Sequence, residues 1–189
     1  MKSENYDFTI SGAGLVGSLC ALALDEIGYK VCLIEKSNFK CSKNQSDNFF
    51  PLSLNYRSKI ILEDFGLWNQ VAKISYPINE LTITYRNNLS KIGLTSKDVG
   101  LDHLGFVVDR NKLLQVYRKS IDKNLTGDIK YQSEILNVKR QKKYLAISTN
   151  SQSFNSKYLI VSDGIESELS KLVSSNAERV DYNQKSFML

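Results

Sequence analysis

The sequence predicts an α/β fold that opens with a strand–helix–strand unit. Three observations support this prediction: an apolar run over residues 6–11, a helical pattern of apolar residues over 15–27, and a second apolar run over 31–35. Strands that alternate with an amphipathic helix are typical of α/β sheets. Between the first run and the helix lie three glycines at the spacing GxGxxG, which are Gly12, Gly14 and Gly17.

This glycine spacing is the geometry that a dinucleotide pyrophosphate requires. Gly12 permits a tight turn, Gly14 lets the backbone approach the phosphates, and Gly17 lets the helix pack close to the strand. The free N–H groups near Leu15 and Val16 then point at the anion, along the positive end of the helix. A strand before the motif and a helix after it make a dinucleotide site the preferred interpretation.

The acidic residue at the end of the second strand narrows the choice of cofactor. Glu35 follows Gly17 by 18 positions, and a carboxylate there accepts hydrogen bonds from a ribose. The same carboxylate repels a ribose 2′-phosphate. The sequence therefore predicts a site for FAD or NAD rather than NADP, and leaves these two open.

The middle of the chain reads as a loop, a helix and a strand. Residues 36–51 are polar and predict a loop, after which Ser53 is expected to cap a helix that Gly66 ends. The residues 79–85 alternate like a strand. The predicted helix has apolar residues at Leu54, Ile60, Ile61 and Leu62.

The second half predicts one more helix and then several short strands. The strand "LGFVV" precedes Asp109, a good helix cap, and the helix behind it has apolar residues at Leu113, Leu114, Tyr117 and Ile121. The strands that follow, between 129 and 162, are "EILNV", "YLAIST", "SFNS" and "KYLIVSDG".

A basic cluster lies between two of these strands, at Lys139, Arg140, Lys142 and Lys143. We expect it at a hairpin tip. Nucleic-acid contact is not expected, because no basic face studded with aromatic residues accompanies the cluster.

Composition and charge set further limits. The 189 residues are 42% hydrophobic and 24% charged, with a net charge of +5 and a pI near 9.0. This charge fits contact with anionic membranes or nucleotides, but much of it comes from scattered lysines, so an ordinary solvated surface is the favoured explanation. The odd number of cysteines (Cys20, Cys32 and Cys41) suggests a reducing compartment. No metal site is expected, because the cysteines lack CxxC spacing and His103 is the single histidine.

No segment has 18 uncharged apolar residues in a row, so no membrane span is expected.

A second motif stands near the end of the chain, in "KYLIVSDGIESELSK", where an apolar strand runs into Asp163 and Gly164. This resembles the Asp-Gly motif of the aromatic-ring hydroxylases, flavin monooxygenases with a p-hydroxybenzoate-hydroxylase-like fold. The segments "PLSLNYRSKIILEDFGLWNQVAKISYPINELTIT", "HLGFVVDRNKLLQVY" and "DYNQKSFML" are similar to those of ubiquinone-biosynthesis hydroxylases.

The resemblance implies a Rossmann-like FAD-binding βαβ domain with a β-meander and the start of an interleaved mixed-sheet substrate domain. We expect the FAD-binding domain in 1–75 and 105–175, and portions of the substrate domain in 76–104 and 176–189. The family continues for about as many residues again. The chain is therefore expected to be the N-terminal part of a hydroxylase, as a fragment, a truncated gene or one of two subunits.

The resemblance also assigns three further cofactor-binding residues. Lys36 is expected beside the adenosine end of FAD, Arg110 near the ribityl-phosphate region, and Asp163 near the flavin pyrophosphate. A surface arginine in a first helical turn and a helix-capping aspartate remain the alternatives for the last two. No catalytic side chain is assigned, since the flavin supplies the chemistry.

The implied activity is hydroxylation of a prenylated aromatic ring in ubiquinone biosynthesis, with FAD as cofactor, NAD(P)H as co-substrate and O₂ as oxidant. The implied location is the cytoplasm. Peripheral association with the inner membrane or with a quinone-biosynthesis complex is an open alternative. An epoxidase, a geranylgeranyl-type reductase and a non-catalytic FAD-binding or assembly subunit also remain open.

Overall fold

A computed structural model describes residues 4–38, 49–84, 91–164 and 167–173, with Val180 and Tyr182. Most of the polar loop predicted over 36–51 and nearly all of the expected substrate segment 176–189 lie outside these residues, as does Cys41. The division of the chain into two domains stays a prediction.

The largest sheet contains six strands. They are β1 (Asn5–Ser11), β2 (Val31–Glu35), β8 (Asp128–Tyr131), β9 (Ile135–Arg140), β10 (Leu145–Thr149) and β11 (Ser153–Val161). Their order is β8-β2-β1-β11-β10-β9. The strands β8, β2, β1 and β11 run parallel to one another, whereas β10 is antiparallel to both of its neighbours, β11 and β9. The strands β9, β10 and β11 form the expected β-meander.

The other five described strands form two smaller sheets. Their strands are β3 (Pro51–Asn55), β4 (Ser75–Ile78), β5 (Glu80–Thr84), β6 (Lys91–Thr95) and β7 (Gly105–Asp109). One sheet is antiparallel with the order β3-β7-β4, and the other is the hairpin β5-β6.

Five α-helices are described. They are α1 (Leu15–Glu26), α2 (Tyr56–Asp64), α3 (Trp68–Ala72), α4 (Arg110–Asn124) and α5 (Glu168–Val173). Helices α1 and α4 pack together, and their apolar sides join β1, β2 and β7 in the larger core, which contains Ile10, Leu33, Val108 and Leu113. A smaller core, which contains Ile34, Ile147 and Phe154, lies between β2 and the meander.

The parallel pairing of β1 with β2 and β11 positions the site. Ile10 is paired with Leu33 on one side and with Ile160 on the other. The three strands therefore end at the same edge of the sheet, and ligands of open α/β sheets bind at the carboxyl ends of the strands.

Several predicted elements are confirmed. The helix α1 and the strands on either side of it match the opening prediction. Asp109 caps α4, because its side chain accepts hydrogen bonds from the Asn111 N–H at 2.7 Å and the Lys112 N–H at 3.2 Å. Gly66 follows α2 with a positive φ of 62°, a conformation that favours glycine.

The start of α2 was predicted wrongly. Ser53 lies in β3, opposite Val107, and the cap is Asn55, whose side chain accepts a hydrogen bond from the Ser58 N–H at 2.8 Å. Pairing with β7 buries Leu54 in the core, and this tertiary contact keeps the segment extended. Two further differences concern strands: "SFNS" and "KYLIV" form the single strand β11, and β4, β6 and β8 were not predicted.

None of the helices in the described ranges is both long enough and apolar enough to cross a membrane.

Candidate functional site

A cleft of about 510 Å³ opens where β1, β2 and β11 end. It gathers residues from five separate parts of the chain: the glycine turn (residues 12–17), the end of β2, the start of α4, the turn between β8 and β9, and the segment after β11. Six of the site residues predicted from the sequence line this cleft: Gly12, Gly14, Glu35, Lys36, Arg110 and Asp163.

The glycine turn at one wall of this cleft is built by close backbone packing. Gly12 has a φ of 93°, and a Cβ there would lie 2.7 Å from the Ser162 carbonyl oxygen. A Cβ on Gly17 would collide with the Gly12 carbonyl and lie 2.5 Å from the Ser162 hydroxyl. Gly12 and Gly17 are therefore required by the fold itself, because β11 and α1 meet the turn without room for a side chain.

Gly14 differs from the other two. It lines the cleft, and a Cβ built on it would meet nothing within 4 Å. The protein alone does not need a glycine at this position. The open space beside it is the space that a ligand approaching the turn would occupy.

The amino end of α1 faces this open space. Gly14 is the N-cap residue, and no side chain of the described residues caps the helix. The first N–H groups of α1, at Leu15 and Val16, are therefore not satisfied by a capping side chain. Val16 is 67% exposed, and the predicted site residues Leu15, Val16 and Gly17 are not among the residues that line the cleft. A helix end of this kind attracts an anion through its N–H groups and its dipole.

Ser162 holds the turn in place and was missed from the sequence. Its hydroxyl donates to the Ser11 carbonyl at 2.7 Å or the Gly12 carbonyl at 3.1 Å, and its N–H donates to the Ser11 carbonyl at 2.8 Å. The end of β11 is thereby tied to the end of β1. The only sequence signal is its position directly before Asp163 and Gly164.

Glu35 connects β2 to the glycine turn. One carboxylate oxygen accepts from the Ala13 N–H at 2.7 Å, and the other accepts from the Ser37 N–H at 2.8 Å and the Ser37 hydroxyl at 2.6 Å. Burial by itself raises the pKa of Glu35, but these hydrogen bonds and the Arg118 charge outweigh burial and lower the pKa below its ordinary value. The carboxylate is therefore ionised at neutral pH.

The wall beyond Glu35 comes from the turn between β8 and β9. The Ser133 N–H donates to the Glu35 carbonyl at 3.0 Å, and Glu134 forms an exposed ion pair with Lys36 at 2.7 Å. This pairing raises the pKa of Lys36. Ser133 and Glu134 were not predicted, because no local pattern indicates that β8 runs alongside β2.

Arg110 and Asp163 also line the cleft. Arg110 is the first residue of α4, and its N–H donates to the Phe50 carbonyl at 2.8 Å. Asp163 is exposed at the end of β11. Capping in this segment is performed by Ser167, whose hydroxyl oxygen accepts from the Ser170 N–H at 2.8 Å. Both predicted residues are thus in the cleft, and their contacts with a cofactor stay predictions.

His103, Cys20 and Cys32 are not among the residues that line the cleft. The Nδ1 atom of His103 is 2.7 Å from the Asn79 side-chain oxygen, and the ring packs on Phe106. Burial raises the pKa of Cys20, and raises that of Cys32 to about 12. Within the described ranges, no group of three or more His, Cys, Asp or Glu side chains is arranged to hold a metal ion.

A family model described as "FAD binding domain" matches residues 5–187. The human mitochondrial ubiquinone biosynthesis monooxygenase COQ6 is 25% identical over 126 residues, and the rat protein is 26% identical over 125 residues. These matches cover 62% of this chain and 26% of each relative. The chain therefore spans about a quarter of the length of the curated relatives it matches.

Solved structures share the fold. The Pseudomonas aeruginosa protein PqsL, described as "a probable FAD-dependent monooxygenase", superposes with a TM-score of 0.73 at 20% identity, covering 95% of this chain and 48% of its own. The p-nitrophenol 4-monooxygenase PnpA of Pseudomonas putida gives 0.73 at 18% identity, covering 90% of this chain and 44% of its own. At these identities the likeness concerns the fold, which is the Rossmann-like fold of FAD-dependent monooxygenases.

Proposed function

The chain belongs to the FAD binding domain family, and we propose that it is the FAD-binding part of a monooxygenase that hydroxylates a prenylated aromatic ring in ubiquinone biosynthesis. The observation that supports this best is the cleft at the ends of β1, β2 and β11. There an uncapped helix terminus, an open position beside Gly14 and an ionised Glu35 face the same space.

The residues present fit FAD. The N–H groups of Leu15 and Val16 would bind the pyrophosphate, because the amino end of α1 is open to an anion. Glu35 would accept a hydrogen bond from the adenosine ribose. Each carboxylate offers about four acceptor sites, and protein groups donate three hydrogen bonds to this one.

The remaining cleft residues fit the rest of the cofactor. Lys36 would lie beside the adenosine end, Arg110 near the ribityl phosphate, and Asp163 near the pyrophosphate. Bound FAD would supply the redox chemistry, with NAD(P)H as reductant and O₂ as oxidant. The described residues contribute binding and orientation, and none of them has to act as a nucleophile.

The proposal of a prenylated substrate rests on two observations. The first is the low-identity match to COQ6, whose name assigns that protein to ubiquinone biosynthesis. The second is the β5-β6 hairpin, in the expected substrate domain, where Leu81 is paired with Leu94 and Ile83 with Ile92. Directly opposed residues share a face of a sheet, and these four side chains are exposed. This apolar face suits contact with a long apolar substrate. A prenylated substrate also favours a peripheral enzyme at the membrane surface.

Flavin absorbance of the full-length protein tests the cofactor. We expect the purified protein to be yellow and Gly14→Val to be colourless, because the added side chain would fill the space of the pyrophosphate. The matched control is Gly93→Val, since a Cβ on Gly93 also meets nothing within 4 Å but Gly93 does not line the cleft. Equal flavin content in the two folded variants would contradict the site.

Genetic complementation tests the substrate separately. The full-length gene should restore quinone content in a bacterium that lacks one of its quinone-ring hydroxylases, and the unhydroxylated precursor should fall. A yellow protein that restores nothing would retain the FAD assignment and reject the substrate.

A further inference from the structure

The net charge of the chain is concentrated in one segment. Residues 135–162 contain five cationic residues and no acidic residue, whereas the rest of the chain carries 20 of each sign. The formal charge of +5 therefore equals the charge of this segment, which forms β9, β10 and β11. Four of the five cations form the basic tip, defined as Lys139, Arg140, Lys142 and Lys143.

The basic tip lies away from the FAD cleft. The turn between β9 and β10 is closed by a hydrogen bond from the Gln141 N–H to the Tyr144 carbonyl at 2.8 Å. Lys143 and Tyr144 line a second cleft, of about 430 Å³, together with Asn5 and Lys157. Asn5 begins β1 and the glycine turn follows its other end, so the two clefts lie at opposite ends of this strand.

Tyrosines accompany these cations. Tyr144 is 41% exposed, and Tyr158 is 60% exposed next to Lys157. One face of the Tyr158 ring stacks on Phe8 with centroids 5.0 Å apart, and Phe8 also packs edge-on against the exposed Tyr29 at 5.0 Å. The sequence did not indicate these neighbours, because β1, β2 and β11 bring them together from distant positions.

The acidic groups nearby are already paired. Asp7 forms an ion pair with Lys157 at 2.7 Å, and Glu4 forms one with Lys130 at 3.2 Å. Among the residues that the structure describes, no ion pair involves any member of the basic tip. The four cations of the tip are exposed, and no described ion pair neutralises their charge.

We propose that the basic tip and the tyrosines beside it form a docking surface for an anionic lipid bilayer. A cluster of four or more Lys and Arg attracts anionic headgroups, and tyrosine places an apolar ring and a polar hydroxyl at the same interface. Lipid fits better than nucleic acid, because nucleic-acid bases stack on open aromatic ring faces and Phe8 already covers one face of the Tyr158 ring. The inference rests on the proposed function of a peripheral enzyme and identifies the surface that would contact the membrane.

Vesicle co-sedimentation of the full-length, FAD-loaded protein tests this surface. We expect binding to phosphatidylcholine vesicles that contain phosphatidylglycerol, little binding to pure phosphatidylcholine, and release by salt. Each cation near an anionic surface contributes about fivefold in affinity. The variant Lys142→Glu/Lys143→Glu should therefore bind at least about 25-fold more weakly.

The matched control is Lys73→Glu/Lys119→Glu, which changes the net charge equally at exposed positions outside residues 135–162. It should keep most of the vesicle binding, and both variants should keep the flavin spectrum. Equal loss in the two variants, or no loss in either, would overturn the proposal. Tighter binding to a DNA duplex than to the anionic vesicles at the same salt would also overturn it. A colourless protein that still binds vesicles through the tip would reject the FAD assignment alone.

Discussion

Glu35→Gln is the substitution that separates the two roles of this carboxylate, in the fold and in cofactor binding. Both carboxylate oxygens accept hydrogen bonds, one from Ala13 and the other from Ser37. A glutamine has the same shape but one acceptor oxygen. Its NH₂ group must therefore face either the Ala13 N–H or the two Ser37 donors.

The expected cost follows from this mismatch. A partly buried N–H that loses its acceptor costs about 1–3 kcal/mol. For a domain of this size, that free energy lowers Tm by about 2–12 °C. FAD affinity should fall by about 10-fold to 100-fold, since a hydrogen bond to a charged acceptor contributes about 1.5–3 kcal/mol.

Urea unfolding of the full-length protein, followed by Trp68 fluorescence, measures the first effect, and flavin titration measures the second. Because folding lowers the pKa of Glu35, the stability it contributes is complete above its ordinary value of 4.5 and is lost as pH falls through the folded pKa. Glu35→Gln should lose this pH dependence. The control is Glu134→Gln, in the same cleft but in an exposed ion pair with Lys36, which should change stability little. The Glu35 carboxyl titrates within the range from about pH 3 to about pH 7. Equal stability of Glu35→Gln and the parent throughout this range would refute the reasoning.

Two further substitutions and one chemical labelling experiment test the packing around the site. Ser162→Ala removes the hydroxyl that reaches the Ser11 and Gly12 carbonyls, and should lower the free energy of unfolding by about 1–2 kcal/mol in urea. Gly17→Ala should cost about 1–3 kcal/mol or more, because the turn leaves no room for a Cβ; a Tm equal to that of the parent would contradict this. Native Cys32 should resist iodoacetamide at neutral pH, since it is buried with a pKa of about 12. Mass spectrometry should find this label only after unfolding, and rapid native labelling would reject the packing.

The sequence predicted the parts of the site that depend on local chain geometry. The glycine turn and Glu35 belong to one strand–helix–strand unit, where spacing along the chain determines position in space. Asp109 was predicted as a cap for the same reason, since a cap and its helix are adjacent. Arg110 was assigned from the family resemblance rather than from local geometry, and it lines the cleft as the first residue of α4.

The parts that were missed depend on contacts between distant segments. Ser162 and Ser133 meet the turn and Glu35 only because β11 and β8 lie beside β1 and β2 in the sheet. Ser53 was mistaken for a cap because serine favours helix starts, whereas pairing with β7 made its segment a strand. Local propensity was overridden by strand pairing in this case.

The comparison of the three glycines links the fold to the proposed function. Gly12 and Gly17 are explained by the protein alone, since β11 and α1 leave no space for a side chain at either position. Gly14 has no such explanation, because a Cβ there would meet only open space at the mouth of an uncapped helix. A glycine at this position, beside open space at the amino end of α1, is what the proposed pyrophosphate site predicts. The open space at Gly14 therefore supports the proposed pyrophosphate site. Gly12 and Gly17 give weaker support, because close packing within the protein already requires a glycine at both positions.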